Sequence, residues 1–329
     1  MRIITLEEHV TFPELTDKIP ADIMDLHSIW KSPMMQKMNK SLADVSGERL
    51  QSMNANGIAQ QVVSVVGAGA DLLNPIDGPV FAREYNNLMA TRIAEHPDRF
   101  RAFAHLPMTA PEAAADELER VVKAYGFCGA LVNGLTNDEF LDDFKYAPIL
   151  ERAQQLDVPI YLHPGLPPKT VADAYYSDLP KHSGVLLSTA GWGWHAETAI
   201  HVLRLIISGT LDRYPKLKLI IGHMGEMLPM MMARCDEKFG IAQAGNNLRS
   251  VSQTLREQVY VTTSGIFTLS TLMTAIDTFG IDNVLFSVDY PFSANETGKK
   301  FLESIPLEPT AIEKIAHGNA ERLLKLNRN

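Results

Sequence analysis

The sequence has little of what several protein classes require. Only two of its 329 residues are cysteines, so no disulfide framework is expected and a reducing, cytoplasmic location fits the chain. No uninterrupted run of about 18 apolar residues occurs, so we expect no membrane-spanning helix. The first residues do not form a basic segment followed by an apolar one, so we expect no signal peptide.

Positive charge is also scarce, because 30 Lys and Arg residues are outnumbered by 39 Asp and Glu residues, for a formal net charge of −9. Nucleic acids and anionic membranes are bound through basic surfaces, so neither is an expected partner. The hydrophobic content of 46% is nevertheless sufficient for a large core. We therefore predict one folded domain over residues 1–329.

Short apolar runs alternate with helical patterns along the chain. Eight such strand-and-helix units follow one another, which is typical of a parallel sheet closed into an α/β (β/α)8 TIM barrel. Two connections, roughly 10–43 and 164–194, are too long for simple turns, so we expect insertions after strands 1 and 5. An open, doubly wound sheet is the alternative. It would place a glycine-rich phosphate loop after the first strand, and Glu7-Glu-His9-Val-Thr is not one.

Helix patterns and stop signals give the expected helix positions. The predicted helices cover 46–56, 81–96, 110–125, 146–156, 195–208, 269–279 and 310–324, with one more that begins near Glu226 and has Pro229 in its first turn.

Four of the predicted strands end in polar side chains, which are unfavourable at the end of a buried strand unless they form a functional site. These groups are Glu7 and His9 after the first strand, His163 after the fifth, His223 after the sixth and Asp289 after the eighth. In a barrel, all strands end at one face, and active sites lie there. Glu7 and His9 are two residues apart and point to the same side, whereas Glu8 points to the helix layer. The strand ends therefore predict one shared site.

Two carboxylates and two imidazoles around one point are a suitable ligand set for a divalent metal ion. The expected ligands are Glu7, His9, His163 and Asp289. Such a set suits Zn²⁺, Mn²⁺ or Fe²⁺ and leaves positions open for water or substrate. The fourth strand ends in Asn133, so no lysine or glutamate is expected there to bridge a second ion. We predict one ion per chain.

Glu226 follows His223 by three residues, in the first turn of a predicted helix, where the helix dipole favours a carboxylate. From that position the carboxylate can turn back and hold the imidazole ring of His223. An oriented imidazole beside a metal ion is a common acid–base arrangement. We therefore predict that His223 and Glu226 act as a catalytic pair.

These residues make the chain resemble the amidohydrolase superfamily, and within it the metal-dependent decarboxylase-like branch. That branch includes the dihydroxybenzoate decarboxylases of the γ-resorcylate type, and the resemblance covers nearly the whole chain. It is carried by Leu6-Glu-Glu-His9, Tyr161-Leu-His-Pro164, Gly222-His-Met-Gly-Glu226 and Phe286-Ser-Val-Asp-Tyr-Pro-Phe292. The Glu-x-His pair, in place of the superfamily's usual His-x-His, points to the dihydroxybenzoate decarboxylases.

The resemblance implies one Zn²⁺ or Mn²⁺ ion on the four ligands named above and a small aromatic acid as substrate. It implies non-oxidative decarboxylation, for which we favour Asp289 as the donor of a proton to the ring carbon before carbon dioxide leaves. His223, supported by Glu226, would hydrogen-bond the substrate's carboxylate or phenolate.

The resemblance also suggests substrate contacts and an assembly. Arg234 matches an arginine that meets the substrate carboxylate, and Arg49 matches one that reaches across a dimer interface in some relatives. Asn133, at the end of the fourth strand, is the third candidate for substrate binding. A homodimer or homotetramer is the implied assembly.

Two other functions remain open from the sequence. A metal-dependent hydrolase of the same fold would use the same four ligands to attack a lactone, ester or amide. A non-catalytic binding protein on a decayed barrel is a different class, and the complete set of strand-end groups argues against it. The identity of the substrate depends on the insertions and loops, where no general rule applies.

Overall fold

A computed structural model describes residues 1–26, 33–241 and 244–326 of the chain. The strands are β1 (Ile3–Val10), β2 (Ile58–Val65), β3 (Phe100–Ala102), β4 (Ala104–His105), β5 (Ala130–Asn133), β6 (Ile160–His163), β7 (Leu219–Ile221), β8 (Val259–Thr262) and β9 (Val284–Leu285). They pair in parallel in the orders β1-β2-β3 and β4-β5-β6-β7-β8-β9.

The two sheets follow each other around one barrel. β3 and β4 lie on either side of Phe103, whose backbone N–H donates to the Val63 carbonyl at 2.9 Å, so the two segments are halves of the third barrel strand. At the other junction, the Ser287 hydroxyl accepts from the backbone N–H groups of Leu6 at 2.8 Å and Glu7 at 2.9 Å. With the helices between the strands, this is the predicted (β/α)8 barrel.

The helices surround the strands and fill the long connections. They are α1 (Pro13–Thr16), α2 (Ala21–Leu26), α3 (Pro33–Ala43), α4 (Glu48–Ala55), α5 (Asp77–Ile93), α6 (Pro111–Tyr125), α7 (Ala147–Leu156), α8 (Lys169–Tyr175), α9 (Ser183–Ser188), α10 (Gly193–Ile207), α11 (Thr210–Arg213), α12 (His223–Glu226), α13 (Met232–Lys238), α14 (Val251–Gln258), α15 (Leu269–Phe279), α16 (Asn295–Ser304), α17 (Pro309–Glu313) and α18 (Asn319–Leu324). Among the described residues, no helix is both long and apolar enough to cross a membrane.

The predicted helices agree best with the structure where the sequence has both an apolar stripe at helical spacing and clear stop signals. α6, α7 and α15 match the predictions over 110–125, 146–156 and 269–279 to within one residue. The helix predicted over 310–324 is also present, as α17, a π turn and α18, which follow one another without a gap. α16 was not predicted, because Gly298 in its interior weakens the helix signal. A Cβ on Gly298 would lie 2.8 Å from a Val288 methyl group, so the close packing of α16 requires glycine there.

Both predicted insertions are present. The first contains α1, α2 and α3, and the second contains α8 and α9. Residues 27–32 of the first predicted insertion lie outside the described residues. That all of 1–329 is one domain stays a prediction.

The barrel interior is filled by apolar side chains from the strands. Its buried members include Ile4, Leu6, Val62, Phe103, Leu131, Ile220 and Leu285. Burying a side chain of this size contributes about 1.5–3 kcal/mol, so the barrel wall is a stable support. Leu323 and Leu324 of α18 pack against the same cluster. Charged groups that interrupt this apolar interior therefore need a specific explanation.

Candidate metal centre

Glu7 is completely buried near the end of β1, and its two carboxylate oxygens have different surroundings. Oε2 accepts hydrogen bonds from the hydroxyl groups of Tyr161, Ser264 and Thr262, the last at 3.1 Å. Oε1 has no hydrogen-bond partner among the described residues, although His163 Nε2 lies 3.5 Å away. A buried carboxylate oxygen without a partner is costly, so Oε1 is placed to receive a cation.

Two imidazoles and a second carboxylate surround that oxygen. His9 Nε2 lies 3.2 Å from Asp289 Oδ1, and the rings of His9 and His163 are 4.9 Å apart. One ligand atom from each of Glu7, His9 and His163 lies within 4.8 Å of the other two. His9 Nε2, like Glu7 Oε1, lacks a hydrogen-bond partner in the described part of the chain. The cluster therefore contains at least two buried polar atoms without a hydrogen-bond partner among the described residues.

A single divalent ion fits this arrangement. The four predicted ligands come together, and their mixed oxygen and nitrogen donors suit Zn²⁺ or Mn²⁺. An ion among them would satisfy both unpartnered atoms, while the three hydroxyl groups on Glu7 Oε2 orient that carboxylate from behind. The assignment of Glu7, His9, His163 and Asp289 as the ligands stays a prediction, which the geometry of the site supports.

The protonation states of these four side chains also favour metal binding. Burial lowers the pKa of His9 and of His163 to about 4, so both rings are neutral near pH 7 and each has a lone pair. Burial opposes ionisation of Glu7, but His223, His163 and His9 hold its pKa below the ordinary value. Burial and the neighbouring Glu7 carboxylate raise the pKa of Asp289 to about 7.

We therefore expect the affinity of the metal-free protein for Mn²⁺ to fall as the pH drops below about 7. Because the pKa of Asp289 is raised to about 7, its carboxyl group holds a proton below that pH, and the ion must displace it. One competing proton weakens binding about tenfold per pH unit, and above about pH 7 the affinity should level off. Titrations followed by electron paramagnetic resonance would measure this. An affinity that is constant between about pH 5.5 and 7 would contradict the raised pKa of Asp289.

Glu8 supports the loop that carries Asp289. Its Oε1 accepts from the Val288 N–H and its Oε2 from the Tyr290 N–H, both at 3.0 Å. These bonds lie on either side of Asp289, whose φ of 73° is in the left-handed region. Such a conformation costs about 1–3 kcal/mol in a residue other than glycine. Glu8 thus holds in place a backbone that would otherwise relax.

The His223–Glu226 pair forms as predicted, but on a shorter element. Glu226 Oε1 lies 2.8 Å from His223 Nδ1, and the two residues have φ values of 53° and 51°. The helix predicted to begin near Glu226 starts two residues later: α12 ends at Glu226, and a 3₁₀ turn from Leu228 to Met231, with Pro229 in it, leads directly into α13. The strand before the pair comes very close to Glu7, because a Cβ on Gly222 would lie only 2.7 Å from Glu7 Oε2.

The charges of this pair are opposite. Burial disfavours an imidazolium, but Glu226 and Glu7 raise the pKa of His223 to about 10. Burial likewise opposes ionisation of Glu226, but His223 and His195 lower the pKa of Glu226 below its ordinary value. His223 Nε2 lies 3.7 Å from Glu7 Oε1, so the positive ring faces the predicted metal site.

His195 belongs to the site although the sequence did not predict it. It is the third residue of α10, and its Nδ1 lies 2.6 Å from Glu226 Oε2. Its Nε2 lies 3.0 Å from the Ala190 carbonyl oxygen, and its ring is 4.7 Å from that of His223. A search for polar strand ends could not identify it, because it lies on a helix that follows a long insertion.

Arg234 is mainly exposed to solvent. Its side chain is 61% exposed, and its guanidinium pairs with Glu237 at 3.1 Å on the same helix. Asn133 ends β5, and its Cα is the register partner of the predicted ligand His163. Substrate contact by Arg234 and by Asn133 stays a prediction.

Arg49 is completely buried within its own chain. Its guanidinium donates to the backbone carbonyls of His9 and Asp44 and lies 4.7 Å from the centre of the Tyr290 ring. In this position it supports the end of β1 and the loop after Asp289. The predicted contact of Arg49 with substrate is not tested by these bonds and also stays a prediction.

Comparison with known proteins gives a consistent result. A family model described as Amidohydrolase matches residues 46–326. The chain is 38% identical to gamma-resorcylate decarboxylase of Polaromonas sp. (strain JS666), over 99% of each chain. The structure of dihydroxybenzoic acid decarboxylase from Polaromonas sp. JS666, with bound manganese and the inhibitor 2-nitroresorcinol, is similar with a TM-score of 0.89 and 36% identity, over 99% of this chain and 98% of that one. The structure of 5-carboxyvanillate decarboxylase from Sphingomonas paucimobilis is also similar, with a TM-score of 0.91 and 30% identity. The match covers 98% of this chain and 99% of that one.

Proposed function

Because the chain belongs to the amidohydrolase family, we propose that its reaction is the metal-dependent, non-oxidative decarboxylation of a hydroxylated aromatic carboxylic acid. It is a carbon–carbon lyase, and its cofactor is one divalent ion, Mn²⁺ or Zn²⁺. The observation that carries the proposal is the buried Glu7, His9 and His163 cluster beside Asp289, in a chain similar over its full length to decarboxylases of this substrate class.

An ion held by Glu7, His9, His163 and Asp289 would supply positive charge that attracts the anionic groups of the substrate and withdraws electron density from its ring. Asp289 is the proton donor that we propose. Its Oδ1 lies 3.2 Å from His9 Nε2, beside the other predicted ligands, and its Oδ2 lies beside Gly265. A Cβ on Gly265 would lie 3.4 Å from that oxygen, so the backbone at Gly265 lies against the Asp289 carboxyl group.

The reaction then balances without an oxidant or a reductant. The proton of Asp289 passes to the ring carbon that bears the carboxylate, which removes the aromaticity of the ring. The bond from that carbon to the carboxylate breaks, carbon dioxide leaves, and the electron pair restores the aromatic ring. Asp289 remains as a carboxylate and recovers a proton from water. His223, whose Nδ1 is held by Glu226 at 2.8 Å and whose Nε2 faces Glu7, is placed to hydrogen-bond the substrate's carboxylate or phenolate.

The enzyme loaded with Mn²⁺ or Zn²⁺ should therefore release carbon dioxide from one or more hydroxybenzoates with a hydroxyl group next to the carboxylate. A panel of mono- and dihydroxybenzoates and methoxy-hydroxybenzoates, followed by carbon dioxide release and loss of acid absorbance, tests this. A panel of lactones, esters and amides run beside it covers hydrolysis. Turnover of a lactone with no release from any acid would overturn the proposal.

We also propose that the chain forms a homodimer or homotetramer. Exposed apolar side chains support this, among them Val185, Leu186 and Leu187 on α9 and Met230 and Met231 before α13. Light scattering of the purified protein should give a mass of two or four chains. A mass of 36.4 kDa, that of one chain, would contradict it.

A cytoplasmic location is a further proposal. It is supported by Cys128 and Cys235, which are both free and both buried.

A further inference from the structure

Both ring nitrogens of His195 are engaged in hydrogen bonds. The Ala190 carbonyl oxygen only accepts, so Nε2, at 3.0 Å from it, carries a hydrogen and donates. Nδ1 lies 2.6 Å from Glu226 Oε2, so a short hydrogen bond joins the ring to this carboxylate. Neither nitrogen is left to contact a substrate, so the ring acts through its neighbours.

The neighbour that matters is the Glu226 carboxylate. It is fully buried, and each of its oxygens has one imidazole partner: His223 Nδ1 on Oε1 at 2.8 Å and His195 Nδ1 on Oε2 at 2.6 Å. Among the residues with described structure, no other group donates to this carboxylate. The backbone of Glu226, with φ of 53°, lies at the end of a one-turn helix that gives the side chain little support. The rotation of the carboxylate, and with it the plane of the His223 ring, therefore depends on His195.

His195 is in turn tied to the second insertion. Ala190 lies between α9 and α10, at the point where the insertion returns to the barrel. This return is tightly packed, because a Cβ on Gly193 would lie 2.3 Å from the Ser188 carbonyl oxygen. The hydrogen bond from His195 to Ala190 thus connects a closely packed corner of the insertion to the carboxylate that orients the catalytic imidazole.

We infer that His195 is a positioning residue for decarboxylation. It fixes the orientation of the Glu226 carboxylate, and through that carboxylate the orientation of the His223 ring, relative to the second insertion. This inference rests on the proposed function for its kinetic consequences. The geometric part concerns only the three side chains and is measurable without substrate.

Three substitutions separate the two hydrogen bonds of His195. His195→Phe removes both and keeps a ring. His195→Asn places an amide N–H where Nδ1 was, within reach of Glu226 only, whereas His195→Gln places one near the position of Nε2, within reach of Ala190 only. His182, exposed in the same insertion, provides the control His182→Asn.

In the Zn²⁺-loaded enzyme, His195→Phe should lower kcat by roughly 10–100-fold, the range seen when a partner that orients a site residue is removed. KM should change less than about threefold, because His195 contacts neither substrate nor ion. His195→Asn should recover kcat to within about fivefold of wild type, whereas His195→Gln should stay as low as His195→Phe. The control should match wild type. An unchanged kcat in His195→Phe, or better rescue by Gln than by Asn, would overturn the inference.

A substrate-free measurement decides the geometry independently of turnover. With ¹⁵N-labelled histidine in the Zn²⁺-loaded protein, the Nδ1–H signal of His223 should shift or broaden in His195→Phe and His195→Gln, and return towards wild type in His195→Asn. Identical His223 signals in all variants would refute the inference even if the enzyme decarboxylates. If wild type releases no carbon dioxide, the proposed function fails, and this spectrum alone still decides the role of His195. If His195→Phe does not fold, the comparison of Asn with Gln replaces it.

Discussion

Wild-type enzyme loaded with metal should exchange a ring hydrogen of the matching dihydroxybenzene in heavy water, and Asp289→Asn should slow this exchange by about a thousandfold. A decarboxylase that protonates a ring carbon must, by microscopic reversibility, also remove that proton from the phenol product. The carbon concerned lies next to a hydroxyl group. Asp289 is placed for this role because its Oδ1 lies 3.2 Å from His9 Nε2, beside the other predicted ligands. Proton magnetic resonance of the phenol measures the exchange directly.

The substitution must be separated from loss of the ion, because Asp289 is also a predicted ligand. Metal content is therefore measured on the same sample, and exchange is compared at saturating Mn²⁺. Asp282→Asn is a matched control, since Asp282 is an exposed acid paired with Lys314 at 2.8 Å, seven residues earlier in the chain. It should exchange at the wild-type rate. Full exchange by a metal-replete Asp289→Asn enzyme would move the proton donor to another residue. No exchange by wild type on any candidate phenol, with no carbon dioxide from their acids, would favour the hydrolase.

His163→Ala should lower the affinity for Mn²⁺ or Zn²⁺ by at least about a hundredfold and abolish turnover, while the barrel still folds. His163 Nε2 faces Glu7 Oε1 at 3.5 Å, so its removal takes one of the convergent donors from the centre. Its Nδ1 has no hydrogen-bond partner among the described residues, so the fold loses little besides packing. A buried side chain truncated to alanine costs about 2–5 kcal/mol, which a domain of this size can tolerate.

His105→Ala is the matched control for this loss. His105 is also a buried histidine at the end of a strand, but its Nε2 accepts from the Ala70 N–H at 2.8 Å and it lies outside the cluster of ligands. Its removal should lower thermal stability and leave about one ion per chain. Elemental analysis of wild type, His163→Ala and His105→Ala gives the comparison. About one tightly held ion in His163→Ala, or two in wild type, would contradict the predicted centre.

The predictions from the sequence were most accurate for the groups at the ends of strands. Glu7, His9, His163, His223 and Asp289 come together in the structure although 282 positions separate the first from the last (289 − 7). This works because all strands of a parallel barrel end at the same face, so a polar residue at a strand end has its location set by connectivity. No side-chain rotamer or loop conformation needs to be known for that inference.

Residues on helices and in insertions were located only by the tertiary structure. His195 pairs with Glu226 across 31 positions, and Arg49 proves to be buried against the end of β1. Arg234, predicted by resemblance alone, lies exposed beside Glu237. The orientation of such side chains depends on how each helix is rotated and how each insertion folds back, and several arrangements are compatible with the same local pattern.

The sequence by itself therefore determined the barrel, the convergence of the four predicted ligands and the pairing of His223 with Glu226, because these follow from strand alternation and from spacings of two or three residues. The tertiary structure alone decided what holds them in place. Three hydroxyl groups orient Glu7, Glu8 holds the Asp289 loop from behind, and His195 connects the insertion to Glu226. These contacts join side chains from elements far apart in the chain, and their hydrogen-bond geometry is set by packing, which no local sequence pattern records.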